Sequence, residues 1–95
     1  MTLLARLLAV PVTDYRTGVL LLGAKDGVNT VFTTPETFVY LPGGLSIAVF
    51  FNGQLLLETD DFTVSGPLAE QGDTITTLFA PVASDKLWAE YVVSS

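Results

Sequence analysis

The clearest pattern of apolar and polar positions lies between residues 45 and 63. Alternate side chains of residues 47–51 fall on opposite faces of a predicted strand, because side chains alternate with period two along a strand. The pair Asn52-Gly53 follows directly and favours a type I′ turn, since both of its residues tolerate a positive φ. The pattern therefore predicts a β-hairpin whose return strand covers residues 54–57.

The other apolar runs are also short, and turn-forming residues separate them. Further strands are predicted over residues 19–22, 29–33, 38–40, from residue 62, and over 74–79 and 86–93. Turns or breaks are predicted at residues 34–36 and 41–44, and a longer loop at 65–73. Short strands at this spacing indicate an all-β fold, a small antiparallel β-sandwich of about seven short strands.

The N-terminal residues form an apolar arm before the sandwich. Leu3, Leu4, Leu7 and Leu8 recur at helical spacing until Pro11, which ends any helix. A signal peptide is disfavoured, because no basic region precedes the apolar run and no clear cleavage site follows it. We predict an arm over residues 1–25 that docks on a neighbour, and a sandwich domain over residues 26–95. Packing of the arm on the chain's own core is the alternative.

Composition supports association with other proteins. Hydrophobic residues make up 49% of the 95 residues and charged residues only 15%, whereas charged residues make up about 25% of ordinary globular chains. A domain of this size cannot bury so much apolar surface internally. No apolar run approaches the roughly 20 residues of a membrane-spanning helix. We therefore expect partner proteins or further copies of this chain, and no membrane.

Charge and missing residue types exclude several functions. The formal net charge is −6, with four basic residues scattered along the chain, which disfavours binding to nucleic acid. There is no cysteine and no histidine. Disulfides, thiolate chemistry and a histidine-activated serine are therefore excluded.

No candidate for catalysis or metal binding is convincing. The acidic run of Glu58, Asp60 and Asp61 offers oxygen ligands for a hard cation but lacks the spacing of a calcium-binding loop. A solvated turn is the favoured interpretation. We therefore predict no enzyme activity, no catalytic or metal-binding residues and no cofactor.

Aromatic residues provide two further hypotheses. Trp88, Tyr91 and Tyr40 suit stacking on the apolar face of a sugar, although core packing is favoured for Trp88. Tyr15 and Arg16 are residue types enriched at protein interfaces. Together with the four leucines of the arm, they are the predicted contact residues.

Five short segments occur along the chain in an order that is found in a known family of proteins. They are DGVNTVFT at 26–33, IAVFFNG at 47–53, DFTV at 61–64, IT followed by FAP at 75–81, and LWAEY at 87–91. This order resembles a small β-sandwich module of tailed-bacteriophage and prophage virion proteins, found in tail-fibre, neck and other tail-associated structural proteins. The match extends from residue 26 to about residue 92.

The resemblance implies a structural role in a virion. In fibres the module usually sits within a longer chain, whereas here an apolar arm precedes a single copy. This departure suggests a neck or collar, tail-completion or capsid-decoration subunit. Its expected partners are other virion structural proteins and copies of itself, as a homo-oligomer in a particle assembled in the host cytoplasm. The alternative is a receptor- or carbohydrate-binding module of a tail fibre or tip.

Overall fold

The computed structural model describes residues 15–41 and 46–94, and it confirms the predicted β-sandwich. These residues form seven strands in two antiparallel sheets. The first sheet has the order β1-β7-β3-β4 and the second the order β2-β6-β5. The strands are β1 (Tyr15–Leu20), β2 (Val31–Val39), β3 (Ile47–Phe51), β4 (Gln54–Leu55), β5 (Phe62–Ser65), β6 (Gln71–Thr77) and β7 (Leu87–Val92).

The hairpin of β3 and β4 forms around the predicted turn. Asn52 and Gly53 have φ angles of 51° and 88°, the left-handed values that a type I′ turn requires. The return strand covers Gln54–Leu55 and is shorter than the predicted span of residues 54–57, although the Leu56 amide still donates to the Val49 carbonyl at 2.8 Å. Beyond it, the Leu57 amide donates to a carboxylate oxygen of Asp61 at 2.8 Å, within the turn that follows.

Strand β2 corrects the prediction of a turn at residues 34–36. The strand is continuous, and its pairing with β6 shifts register between Thr33 and Phe38. Pro35 lies within that irregular stretch. A proline lacks an amide donor, but β2 is at the edge of its sheet. A proline there need not cost a hydrogen bond between strands. Two predicted strands, 29–33 and 38–40, are thus one.

The second part of the predicted arm is integrated into the first sheet. Strand β1 pairs antiparallel with β7, with Tyr15 opposite Val92 and Leu20 opposite Trp88. A register shift interrupts the pairing between Arg16 and Val19. The four arm leucines lie outside the described residues, with the rest of residues 1–14. So do residues 42–45, which include all of the predicted break except Leu41.

The hydrophobic core lies between the two sheets. From β7, Leu87, Ala89 and Tyr91 point inward and are at most 2% exposed. Phe38 packs from β2, with its ring centroid 5.4 Å from that of Tyr91. The other fully buried members of this core include Phe32, Val49, Phe62 and Ile75. The alternation in β7 therefore determines which of its residues remain on the outside.

Backbone hydrogen bonds join the two sheets along one side. Leu22, just after β1, exchanges two bonds of 2.8 Å with Thr33 of β2. The Ser94 amide, just after β7, donates to the Thr37 carbonyl of β2 at 2.9 Å. These bonds hold β2 against the β1–β7 side of the first sheet. The opposite face of that sheet points away from the core.

Candidate functional site

On the outer face of the first sheet, four apolar side chains, one from each strand, form a row in direct register. Leu20 of β1 is opposite Trp88 of β7, Trp88 is opposite Phe50 of β3, and Phe50 is opposite Leu55 of β4. Residues directly opposite one another on neighbouring strands project to the same face. We call this set of four side chains the apolar row. It spans three inter-strand gaps, about 14 Å at the usual strand spacing.

The apolar row is open to solvent at both ends. Leu20 is 63% exposed and Leu55 is 57% exposed. In the middle, the half-buried rings of Phe50 and Trp88 stack with their centroids 5.4 Å apart and their planes within 14°. Contiguous apolar side chains on a sheet face are typical of surfaces that bind other proteins.

The position of Trp88 corrects the expectation that it packs in the core. Its neighbours Leu87 and Ala89 are buried between the sheets, so the alternation of β7 places Trp88 on the outer face. The alternation of side chains along β7 therefore determines the position of Trp88, although large aromatic side chains usually prefer burial. Tyr91 is 0% exposed, so Trp88 and Tyr91 do not form the predicted sugar-stacking surface.

The other end of the outer face is more polar and less exposed. The Tyr15 hydroxyl donates to a carboxylate oxygen of Glu90 at 2.8 Å. Ala48 and Val92, which share this face, are 9% and 8% exposed. The exposed apolar surface of the face is therefore concentrated at the apolar row.

The predicted contact residues Tyr15 and Arg16 lie on opposite faces of β1. Tyr15 is opposite Val92 on the outer face, whereas Arg16 is opposite the buried Tyr91. The Arg16 guanidinium binds the Glu36 carboxylate through two contacts of 3.2 and 3.3 Å. Arg16 therefore links β1 to β2 across the two sheets, and only Tyr15 belongs to the outer face.

The acidic run at residues 58–61 forms a tight turn. Glu58 accepts a hydrogen bond from the Tyr40 hydroxyl, Thr59 has a φ of 77°, and Asp61 receives the Leu57 amide. Two of its carboxylates thus accept hydrogen bonds from groups of the same chain. Across residues 15–41 and 46–94, no group of three or more histidine, cysteine, aspartate or glutamate side chains is placed to hold a metal ion.

Tyrosine–carboxylate contacts shift the ionisation of three tyrosines. Burial raises the pKa of Tyr15 to about 12, with additional contributions from its hydrogen bond to Glu90 and the charge of Glu90. Burial and Glu58 likewise raise the pKa of Tyr40 to about 12. For Tyr91, burial and then the charge of Glu36 raise the pKa to about 12. The folded protein therefore favours the neutral phenol at all three positions.

These shifts predict that stability falls in strong alkali. Tyrosines in the unfolded chain have the ordinary pKa of 10.0, whereas these three have a pKa of about 12 in the folded protein. Their stabilising effect is therefore complete below pH 10.0, and it is lost as the pH rises from 10.0 towards about 12. Urea unfolding midpoints, measured from about pH 8 to about pH 11.5, should decrease above pH 10.0. The decrease should be shallower in Tyr15→Phe, and an identical decrease in that variant would contradict the assignment of Tyr15.

Three of the four residues of the apolar row were not identified from sequence as parts of a binding surface. Phe50 was placed correctly on the face opposite Ile47, but its neighbour on β7 was unknown. Leu55 belongs to the predicted hairpin, whereas Leu20 belongs to a segment that carries no distinctive motif. Only the strand order brings them together with Trp88.

Comparisons with known proteins do not identify a relative of this chain. No family model, no curated protein and no solved structure matches it. In the described part of the chain, no helix has the length and apolar character needed to cross a membrane.

Proposed function

We propose that this chain is a structural subunit of a tailed-phage virion, in the neck or collar, at the tail end or on the capsid surface, and that it acts by protein–protein assembly. The resemblance of residues 26–92 to virion modules supports the context. The observation that carries the proposed mode of action is the apolar row, which crosses all four strands of the first sheet and has an exposed leucine at each end.

The arrangement of the apolar row suits an apolar protein side chain better than a sugar. Sugars stack on an open aromatic face, but one face of the Trp88 indole already lies against Phe50. Across the next strand, the neighbour of Trp88 is Leu20. Burying the two exposed leucines would contribute about 25 cal/mol for each Å² of apolar surface removed from water. This geometry favours assembly over the carbohydrate-binding alternative.

Two of the three described basic residues are engaged by other groups of the chain. Arg16 is paired with Glu36, and the Lys25 ammonium donates to the Asp85 carbonyl at 2.7 Å. With a formal charge of −6 on the whole chain, attraction to a nucleic-acid backbone is weak. These observations support a protein partner.

The proposal is tested by the composition of purified virions. A phage that carries this gene is grown with the wild-type chain or with the double variant Leu20→Ser/Leu55→Ser, and the chain is quantified in purified particles by mass spectrometry. We expect a fixed stoichiometry for the wild type and a loss of at least about tenfold for the double variant, since a weakening of about 1.4 kcal/mol lowers binding tenfold.

A matched control distinguishes the surface from a general effect of the substitutions. Leu68 and Leu78 are 69% and 61% exposed and lie outside the apolar row, so Leu68→Ser/Leu78→Ser should incorporate as the wild type does. Normal incorporation of the Leu20/Leu55 variant would exclude the apolar row as the binding surface. Absence of the wild-type chain from the particles would overturn the virion role itself.

A further inference from the structure

The apolar row and the N-terminal residues that precede β1 have complementary chemistry. We propose that residues 1–14 of one copy dock on the apolar row of a second copy of this chain. We call residues 1–14 the leading segment. The inference rests on the proposed function, because it names the partner that covers the apolar row.

The composition of the leading segment fits an apolar surface. Its four leucines, Leu3, Leu4, Leu7 and Leu8, match the apolar character of the four side chains in the row. Its only charged side chains are Arg6 and Asp14, which cancel, so residues 15–95 carry the whole formal charge of −6. Face-to-face pairing of two such bodies would bring like charges together, whereas docking of a neutral segment adds no net repulsion.

The direction of β1 favours docking on a neighbour. The leading segment joins β1 at Tyr15, opposite Val92, whereas the apolar row lies at the other end of β1, at Leu20. This distance is about 17 Å for a six-residue strand. The chain must reverse direction at once and run back along the sheet to reach its own row. No reversal is needed to reach the row of a copy that lies beyond Tyr15.

The leading segment is long enough for this contact. Its fourteen residues, fully extended, span up to about 50 Å, and the apolar row is about 14 Å across. The remaining length can bridge the gap between two copies. Because the segment and the row are different surfaces, the contact is heterologous. Each copy donates one segment and accepts one, so copies can continue into a ring or a filament.

The inference is tested by complementation between two full-length variants. The segment variant carries serine at Leu3, Leu4, Leu7 and Leu8, and the row variant is Leu20→Ser/Leu55→Ser. Light scattering after gel filtration gives the mass of each protein. We expect the wild type to be an oligomer, each variant alone to be a monomer, and an equimolar mixture to form a one-to-one heterodimer. The mixture contains one intact segment and one intact row, so a single contact remains.

Each other outcome overturns the inference in a recognisable way. Circular dichroism confirms folding of both variants, and Leu68→Ser/Leu78→Ser should oligomerise as the wild type does. If the segment variant stays oligomeric while the row variant is monomeric, two rows pair directly. If the wild type is a monomer, the segment does not join copies. Incorporation of the wild type but not of the row variant into virions would then preserve the proposed function, with another virion protein on the row.

Discussion

Replacing Phe38 with alanine is expected to lower the free energy of unfolding by about 3–5 kcal/mol. Phe38 is 0% exposed, and its ring lies 5.4 Å from that of Tyr91 on the facing sheet. Truncation removes buried apolar surface and leaves a cavity between the two sheets. Because domains are stable by only about 5–15 kcal/mol, this single change should unfold a measurable fraction of the protein at room temperature.

Urea unfolding followed by fluorescence measures this effect, since Trp88 is the only tryptophan and belongs to the first sheet. The midpoint should shift strongly with little change in slope. Val28→Ala is the control, because Val28 is 81% exposed. Its free energy of unfolding should stay within about 0.5 kcal/mol of the wild-type value. A shift of Phe38→Ala no larger than that of the control would show that the two sheets do not pack through this ring.

The second large effect is expected at Gly72, which lies directly opposite Phe38 in the pairing of β2 with β6. A Cβ atom at this position would lie 2.5 Å from two carbon atoms of the Phe38 ring and 2.8 Å from a Val64 methyl group. These contacts are too short, and both neighbours are themselves packed. We expect Gly72→Ala to destabilise the protein by about 1–3 kcal/mol, the usual cost of overpacking.

A double-mutant cycle isolates the cause of this cost. In the Phe38→Ala background the clashing ring is absent and only the 2.8 Å approach to the Val64 methyl group remains, so Gly72→Ala should cost clearly less than it does in the wild type. The two substitutions should therefore couple by about 0.5–3 kcal/mol, as residues in contact do. Equal costs in both backgrounds would show that the Phe38 ring does not limit the space at Gly72.

Local pattern was sufficient for the parts of the fold that depend on neighbours in sequence. The alternation over β3 and β7 and the Asn52-Gly53 turn were predicted because period two and positive φ are properties of a few adjacent residues. The prediction of a turn at residues 34–36, which include Pro35, was also based on adjacent residues. It was wrong because a strand tolerates a proline when it lies at the edge of its sheet. Sequence position does not reveal that.

The candidate site could not be predicted because it is a property of strand order. Leu20, Phe50, Leu55 and Trp88 come from four strands, and only the pairing of Phe50 with Leu55 follows from a local turn. Their alignment depends on the pairing of β1 with β7 and of β7 with β3. The leucines of the N-terminal segment were recognised as a docking candidate, but no surface to receive them could be named without this register.

The pairing of β1 with β7 also determines when the protein can fold. Tyr15 and Glu90 are in contact although 75 residues separate them, so the first sheet joins the earliest described strand to the last. Contacts between such distant residues form slowly, because a long loop must close before they stabilise the chain. During synthesis, β1 has no partner until β7 has left the ribosome. The chain therefore completes its first sheet only after β7 has been translated, and its apolar strands are exposed to chaperones and to neighbouring chains until that point.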